Sequence, residues 1–170
     1  MFDISKIRTV DDFPKKGIKF YDITTVLNDA ASFQELFQAL LEKARAFQPD
    51  VITALEARGY IFAPALALAL NIPFVPLRKK GKLPYKTFSE QYDLEYGNET
   101  IEVHQDAIKP NQKILICDDI LATGGTAAAA VKLMQHFSPE SIGFLFLMEL
   151  SFLNGREKIP EYGVESLVVV

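Results

Sequence analysis

The chain offers very little sulfur chemistry: its 170 residues include one cysteine, Cys117. A single cysteine excludes an internal disulfide, and its place in an apolar run reads as a buried structural thiol. That usage suits a reducing cytoplasm. Histidine is also scarce. His104 and His136 lie far apart, and no His/Cys/carboxylate grouping has zinc spacing. Net positive charge is missing too: the formal net charge is −4 and the pI about 5.2, which removes a bulk electrostatic drive toward nucleic acid. The longest apolar region, 61–77, is broken by Pro64, Asn71, Pro73 and Pro76 and follows a strand–helix–strand rhythm, so it is not a membrane span. The opening MFDISKIRTVDDF lacks the apolar core of a signal peptide. Repeats, low-complexity linkers, a G-x-G-x-x-G fingerprint and a nucleophile elbow are absent as well.

What is present fits one α/β domain over 1–170, with 49% apolar and 24% charged residues. Its organising stretch is 114–126, ILICDDILATGGT. The β-branched run 114–117 has the character of a strand covered on both faces. Asp118 and Asp119 follow, where that strand should end. Ala122, Thr123, Gly124, Gly125 and Thr126 come next, and then a helix opening at 127–130 and closing near Phe137. Paired glycines let backbone N–H groups approach a ligand, and a helix start adds a partial positive charge, so the loop is a phosphate cradle. The carboxylates before it can accept hydrogen bonds from vicinal ribose hydroxyls. Either half alone is commonly just a turn; together they call for a sugar phosphate. The loop is not a Walker motif, because no lysine follows the glycines.

Along the chain, 1–12 has Ile4, Ile7 and Val10 at the spacing of a short amphipathic helix. Residues 13–27 read as a loop with a short extended piece. The spacing predicts a helix over 29–47, with Ser32 and Glu35 as a capping box and Pro49 ending it. A strand over 51–54, a helix over 59–70 and a strand over 74–77 form a right-handed parallel unit. Its first loop, Glu56-Ala57-Arg58-Gly59, falls at the carboxyl edge of the sheet, where ligands bind in open α/β folds. Arg58 there is either a solvated loop arginine or a planar partner for pyrophosphate. Arg78, Lys79, Lys80 and Lys82 form the one dense basic cluster, at the same edge. Such a run is either a solvated face or an attractor for a polyanion. Residues 83–98 show no clear period and suit a lid, with 100–104 a strand pairing with its other arm. Strands over 142–147 and 167–170 complete the sheet, and Gly155 and Arg156 read as helix-start architecture.

The segment ILICDDILATGGT resembles the phosphoribosyl-pyrophosphate (PRPP) signature of the type I phosphoribosyltransferases. FPKKGIKFYDIT, ALEARGYIF, LRKKGKLP, YDLEYG and MELSFLNGREKI are similar to the adenine branch of that family, so the resemblance runs from residue 13 to about 159. It implies a mainly parallel sheet flanked by helices, with a hood over 13–28 and a flexible catalytic loop over 78–103. It implies transfer of 5-phosphoribosyl from PRPP to N9 of adenine, with Mg²⁺ carried by PRPP and no dedicated metal ligands. It puts Lys19, Phe20 and Ile120 at adenine, and Asp118, Asp119 and residues 122–126 at the ribose phosphate. Arg58, Arg78, Lys79 and Lys82 fall at the pyrophosphate, with Glu95 and Arg58 in catalytic roles. Tyr21 departs from the pattern, standing where an arginine is usual. The family is usually homodimeric, without nucleic-acid or membrane partners. Other readings are a transferase for a different purine, a non-catalytic PRPP-binding regulator and a phosphate-binding structural module. The regulator is expected to carry a DNA-binding extension and a basic face, whereas this chain is acidic and begins about a dozen residues before the hood.

Overall fold

The computed structural model describes residues 2–13, 15–94 and 97–170. Two short strands, β1 (Arg8–Asp11) and β2 (Lys19–Asp22), form an antiparallel ribbon. Helices α1 (Thr24–Leu27) and α2 (Ala30–Phe47) lead into β3 (Val51–Leu55), α3 (Ala63–Leu70) and β4 (Phe74–Lys79). A hairpin of β5 (Thr87–Leu94) and β6 (Gly97–His104) follows, then β7 (Lys113–Leu121), α4 (Gly125–Gln135), β8 (Ser141–Glu149) and β9 (Gly163–Val169). The sheet has seven strands in the order β5-β6-β4-β3-β7-β8-β9. The five from β4 to β9 run parallel, and β6 is antiparallel to both β4 and β5. This is the expected α/β architecture with a mainly parallel sheet.

Strands covered on both faces must be apolar on both, and β7 and β8 are. Ile114, Ile116, Phe144 and Phe146 pack toward α4, whose Ala130, Leu133 and Met134 are buried. Leu115, Cys117, Leu145 and Leu147 pack in the opposite cluster with Leu36, Leu40 and Ala44 of α2. Cys117 is buried as expected, and burial pushes its thiol up, away from reactivity. Among the described residues no helix is long and apolar enough to cross a membrane.

Several local expectations are corrected. Residues 1–12 are not a helix: a single 3₁₀ turn, Ile4–Lys6, precedes β1. Of the three aligned apolar residues only Ile7 is buried, while Ile4 and Val10 are each 38% exposed, and Val10 instead pairs with Phe20 across the ribbon. The α2 cap is Asp29, whose carboxylate accepts from the Ser32 backbone N–H at 2.9 Å. Ser32 lies inside the first turn and Glu35 pairs with Lys6, so the Ser32–Glu35 capping box does not form. The helix expected from Gly59 starts as a 3₁₀ turn, Arg58–Ile61, and is α-helical only from Ala63. The glycine-loop helix opens two residues early, at Gly125. The strand before it runs through both aspartates to Leu121. Residues 83–98 are not without period. Phe88, Glu90 and Tyr92 face inward and Ser89 and Gln91 outward; the inward Glu90 hides the alternation from an apolar count.

This topology brings the carboxyl ends of β4, β3 and β7 side by side. The loops that follow them therefore face one another along one edge of the sheet.

Candidate active site

At that edge β7 turns sharply into α4. Gly124 holds φ at +75°, and a Cβ there would collide with the carbonyl oxygen of Gly155. Conformation and close approach both demand glycine. Among the described residues no side chain caps α4. Its first N–H groups and its positive dipole end therefore remain available to an anion. They open on a cavity of about 160 Å³ bounded by Arg58, Asp118, Ile120 and every residue of the 122–126 loop.

A second cavity, about 110 Å³, adjoins it. Its walls include Lys19, Phe20 and Tyr21 of the ribbon, together with Asp119, Ile120, Met148 and Leu150. Arg58 and Ile120 line both chambers. One chamber offers free backbone N–H groups beside a carboxylate, a combination suited to an anion next to hydroxyls. The other is largely apolar, with an aromatic wall suited to a flat ring.

The adjacent aspartates divide between the chambers, as successive strand residues must. Asp118 lines the phosphate chamber and Asp119 the ring chamber. The Asp119 backbone N–H donates to Asp118 Oδ1 at 2.9 Å, and Arg58 Nε lies 2.9 Å from Asp119 Oδ2. Burial raises both carboxyls above the usual range. The Asp119 charge adds to the rise at Asp118, and Arg58 opposes it at both. Gly59 lets the Arg58 turn cross the strand: a Cβ there would sit 2.8 Å from the Cys117 carbonyl oxygen and 3.3 Å from Asp118 Oδ1.

The basic cluster borders these chambers but lines neither. Arg78 and Lys79 belong to β4 rather than to a loop beyond it. Arg78 Nε lies 3.2 Å from Glu56 Oε2, and its Nη1 donates to the Lys82 carbonyl at 3.2 Å. The Arg78 hydrogen bond is the main reason the Glu56 carboxyl is lowered. Lys79 Nζ pairs with Glu99 Oε1 at 2.5 Å, and the Tyr92 hydroxyl reaches Glu99 at 3.4 Å and also hydrogen-bonds Thr126. The hairpin is thus tied to both the basic cluster and the glycine loop. Lys82 is exposed. Glu95 lies outside the described residues.

Site residues 19, 20, 58, 118–120 and 122–126 are therefore brought together, whereas 78, 79 and 82 line neither chamber and Arg78 and Lys79 are paired with Glu56 and Glu99. Sequence reasoning missed Glu56, Glu99 and Tyr92 as partners of the basic cluster and the loop. It also missed Met148 and Leu150 as chamber walls, and Gly155 as the backing of Gly124. Glu56 had a signal, its place two residues before Arg58 in the same loop; Met148 and Leu150 look like any core residue.

Residues 22–167 match the family described as phosphoribosyl transferase domain. The adenine phosphoribosyltransferase of Acetivibrio thermocellus is 51% identical over 165 residues, 96% of either chain. A crystal structure of that enzyme from Thermoanaerobacter pseudethanolicus superposes with a TM-score of 0.90 at 46% identity, covering 98% of this chain and 96% of its own. The Saccharomyces cerevisiae enzyme, solved with adenine and an imino-altritol bisphosphate, gives a TM-score of 0.90 at 40% identity, covering 96% of this chain and 94% of its own. With fold, chambers and relatives in agreement, the chain belongs to the phosphoribosyltransferase family, within its adenine phosphoribosyltransferase branch.

Proposed function

We infer that this protein transfers the 5-phosphoribosyl group of PRPP to N9 of adenine, giving AMP and pyrophosphate, a purine-salvage reaction. The observation that carries this reading is the junction of two chambers at Arg58 and Ile120, one at an uncapped helix start and one under an aromatic ribbon.

In the reaction the bond from C1′ to the pyrophosphate oxygen breaks, the C1′–N9 bond forms, and N9 loses its proton. Backbone N–H groups of residues 122–126 and the hydroxyls of Thr123 and Thr126 grip the 5′-phosphate. That remote grip positions C1′ against N9. Positive charge grows on the ribose as the bond breaks, and Asp118 and Asp119 face it. Because burial holds these carboxyls high, a cationic ribose is the partner that favours their ionised form. Negative charge on the departing pyrophosphate, which enters as its magnesium complex, is met by Arg58, Arg78, Lys79 and Lys82. Phe20, Lys19 and Ile120 hold the purine, and Glu95 hydrogen-bonds it and assists loss of its proton. The hairpin is the flexible loop that closes over the site and excludes water.

Initial rates with adenine, hypoxanthine, guanine and xanthine, each with PRPP and with or without Mg²⁺, test the reading. Adenine-specific, magnesium-dependent release of pyrophosphate is expected. Preference for a 6-oxopurine would reassign the base.

We further propose a cytoplasmic homodimer. An apolar groove on α2 and α3, bounded by Phe33, Phe37 and Ala65, with Leu68 81% exposed on α3, supports a second copy as its cover. Sedimentation of the purified protein tests this.

A further inference from the structure

Gly155 lies well away from the glycine loop in sequence, yet its backbone forms the wall against which that loop rests. A Cβ at Gly124 would strike the Gly155 carbonyl oxygen, and a Cβ at Gly155 would strike the Ala122 carbonyl oxygen. The loop and the 3₁₀ turn Gly155–Lys158 therefore touch backbone to backbone, with the Leu121 side chain alongside.

The turn is held by a buried charge. Glu149, the last residue of β8 and only 6% exposed, takes both prongs of the Arg156 guanidinium, at 2.6 Å to Oε1 and 2.7 Å to Oε2. Ser166 Oγ donates to the same carboxylate at 2.7 Å, and Arg156 Nη1 donates to the Val164 carbonyl at 3.0 Å. Glu149 pairs in register with Leu121, the residue immediately before the loop, and the Leu150 N–H donates to the Leu121 carbonyl at 2.9 Å. The charged clamp thus fixes both the start of the loop and the surface behind it.

We propose that the Glu149–Arg156 pair is a positioning device: it presses the Gly155 backbone against Ala122 and Gly124 and so sets the spacing of the N–H groups that bind the 5′-phosphate. This rests on the reading of residues 122–126 as the phosphate site. A forked arginine fixes orientation as well as distance. Arg156 is half exposed while Glu149 is buried, and an ion pair open to solvent on one side adds little net stability. The β8–β9 ladder is already closed by backbone bonds, so what the clamp adds is the placement of Gly155.

Three variants test this: G155A, R156K and the double variant E149M/R156M. Each is assayed by steady-state kinetics for PRPP and adenine, AMP binding by calorimetry, and thermal unfolding. The expected result for G155A and the double variant is a KM for PRPP and a Kd for AMP weakened about 10- to 100-fold, with the KM for adenine nearly unchanged; the melting temperature should stay near wild type in the double variant and fall in G155A, whose Cβ must displace the Ala122 backbone. R156K, which keeps the charge and loses the fork, should fall between these and wild type. Folded G155A and E149M/R156M with wild-type affinity for PRPP and AMP would overturn the positioning role alone. Failure of the double variant to fold would make the pair a stabilising element and overturn the proposal too. If the wild-type protein bound neither PRPP nor AMP, the phosphate reading itself would fall, and this proposal with it.

Discussion

Arg58 Nε lies 2.9 Å from Asp119 Oδ2 on the wall that the two chambers share. Here this arginine compensates a buried acid; in the reaction it is assigned to the pyrophosphate. Arg58→Ala removes both services. Turnover per unit PRPP should fall about 10²- to 10³-fold, as for loss of one preorganised donor. Asp119 is raised by burial and held back by Arg58, so without the arginine its carboxyl rises further. The acid limb of the pH–rate profile should therefore move to higher pH. A profile that drops uniformly, with its acid limb unmoved, would separate Asp119 from Arg58.

Asp118 leads to a prediction about stability. A carboxyl raised in the folded state binds more protons folded than unfolded. Stability therefore falls as pH climbs from the ordinary carboxylate range, about 4, through the raised value, and the penalty is absent below that range. Asp118→Asn keeps an acceptor for the Asp119 N–H and removes the titration. It should stabilise the ligand-free protein by on the order of 1–2 kcal/mol at pH 8, with little effect at pH 4, while nearly abolishing turnover. Thermal unfolding at the two pH values checks the sign. A variant less stable than wild type at pH 8 would contradict the argument.

How much of this was legible depends on the range of the determining contacts. The run from Ile114 to the paired glycines declares itself because β-branching, acid placement and glycine act locally. The cap of α2 was misread because Asp29 and Ser32 are both competent caps. In the structure Asp29 takes the Ser32 N–H and Glu35 pairs with Lys6, a contact far away in sequence. The pairing of 100–104 with the arm before it is legible, but the regular strand β5 is not, because Glu90 occupies an inward position beside His136. Neither the Gly155–Gly124 contact nor the Lys79–Glu99 pair has a local signature, so nothing in the sequence near either partner announces it.

Glu95, unlike Arg58, carries a catalytic assignment that rests on the family pattern alone. Glu95→Ala should lower kcat by about 10²-fold or more, in the range of lost general acid–base assistance, with an unchanged melting temperature. Single-turnover measurement with adenine and PRPP separates chemistry from product release. A wild-type rate in that assay removes Glu95 from the reaction.

Three of the cations assigned to pyrophosphate, Arg58, Arg78 and Lys79, are already paired with carboxylates of this chain, and Lys79 is the clearest case. Its ammonium pairs with Glu99 of β6 at 2.5 Å, and that hydrogen bond is the main reason its value is raised. Pyrophosphate must compete with Glu99 for this charge, so the pair opposes binding while tying the hairpin down. Glu99→Gln should lower the KM for PRPP a few-fold at low ionic strength. The gain should shrink as salt is added, because Lys79 is half exposed and its interactions are screened. Loss of the same contact should also loosen the hairpin, seen as faster hydrogen exchange in β5 and β6 of the ligand-free protein. A KM that rises in Glu99→Gln would mean that Glu99 helps to place Lys79 for pyrophosphate instead of withholding it.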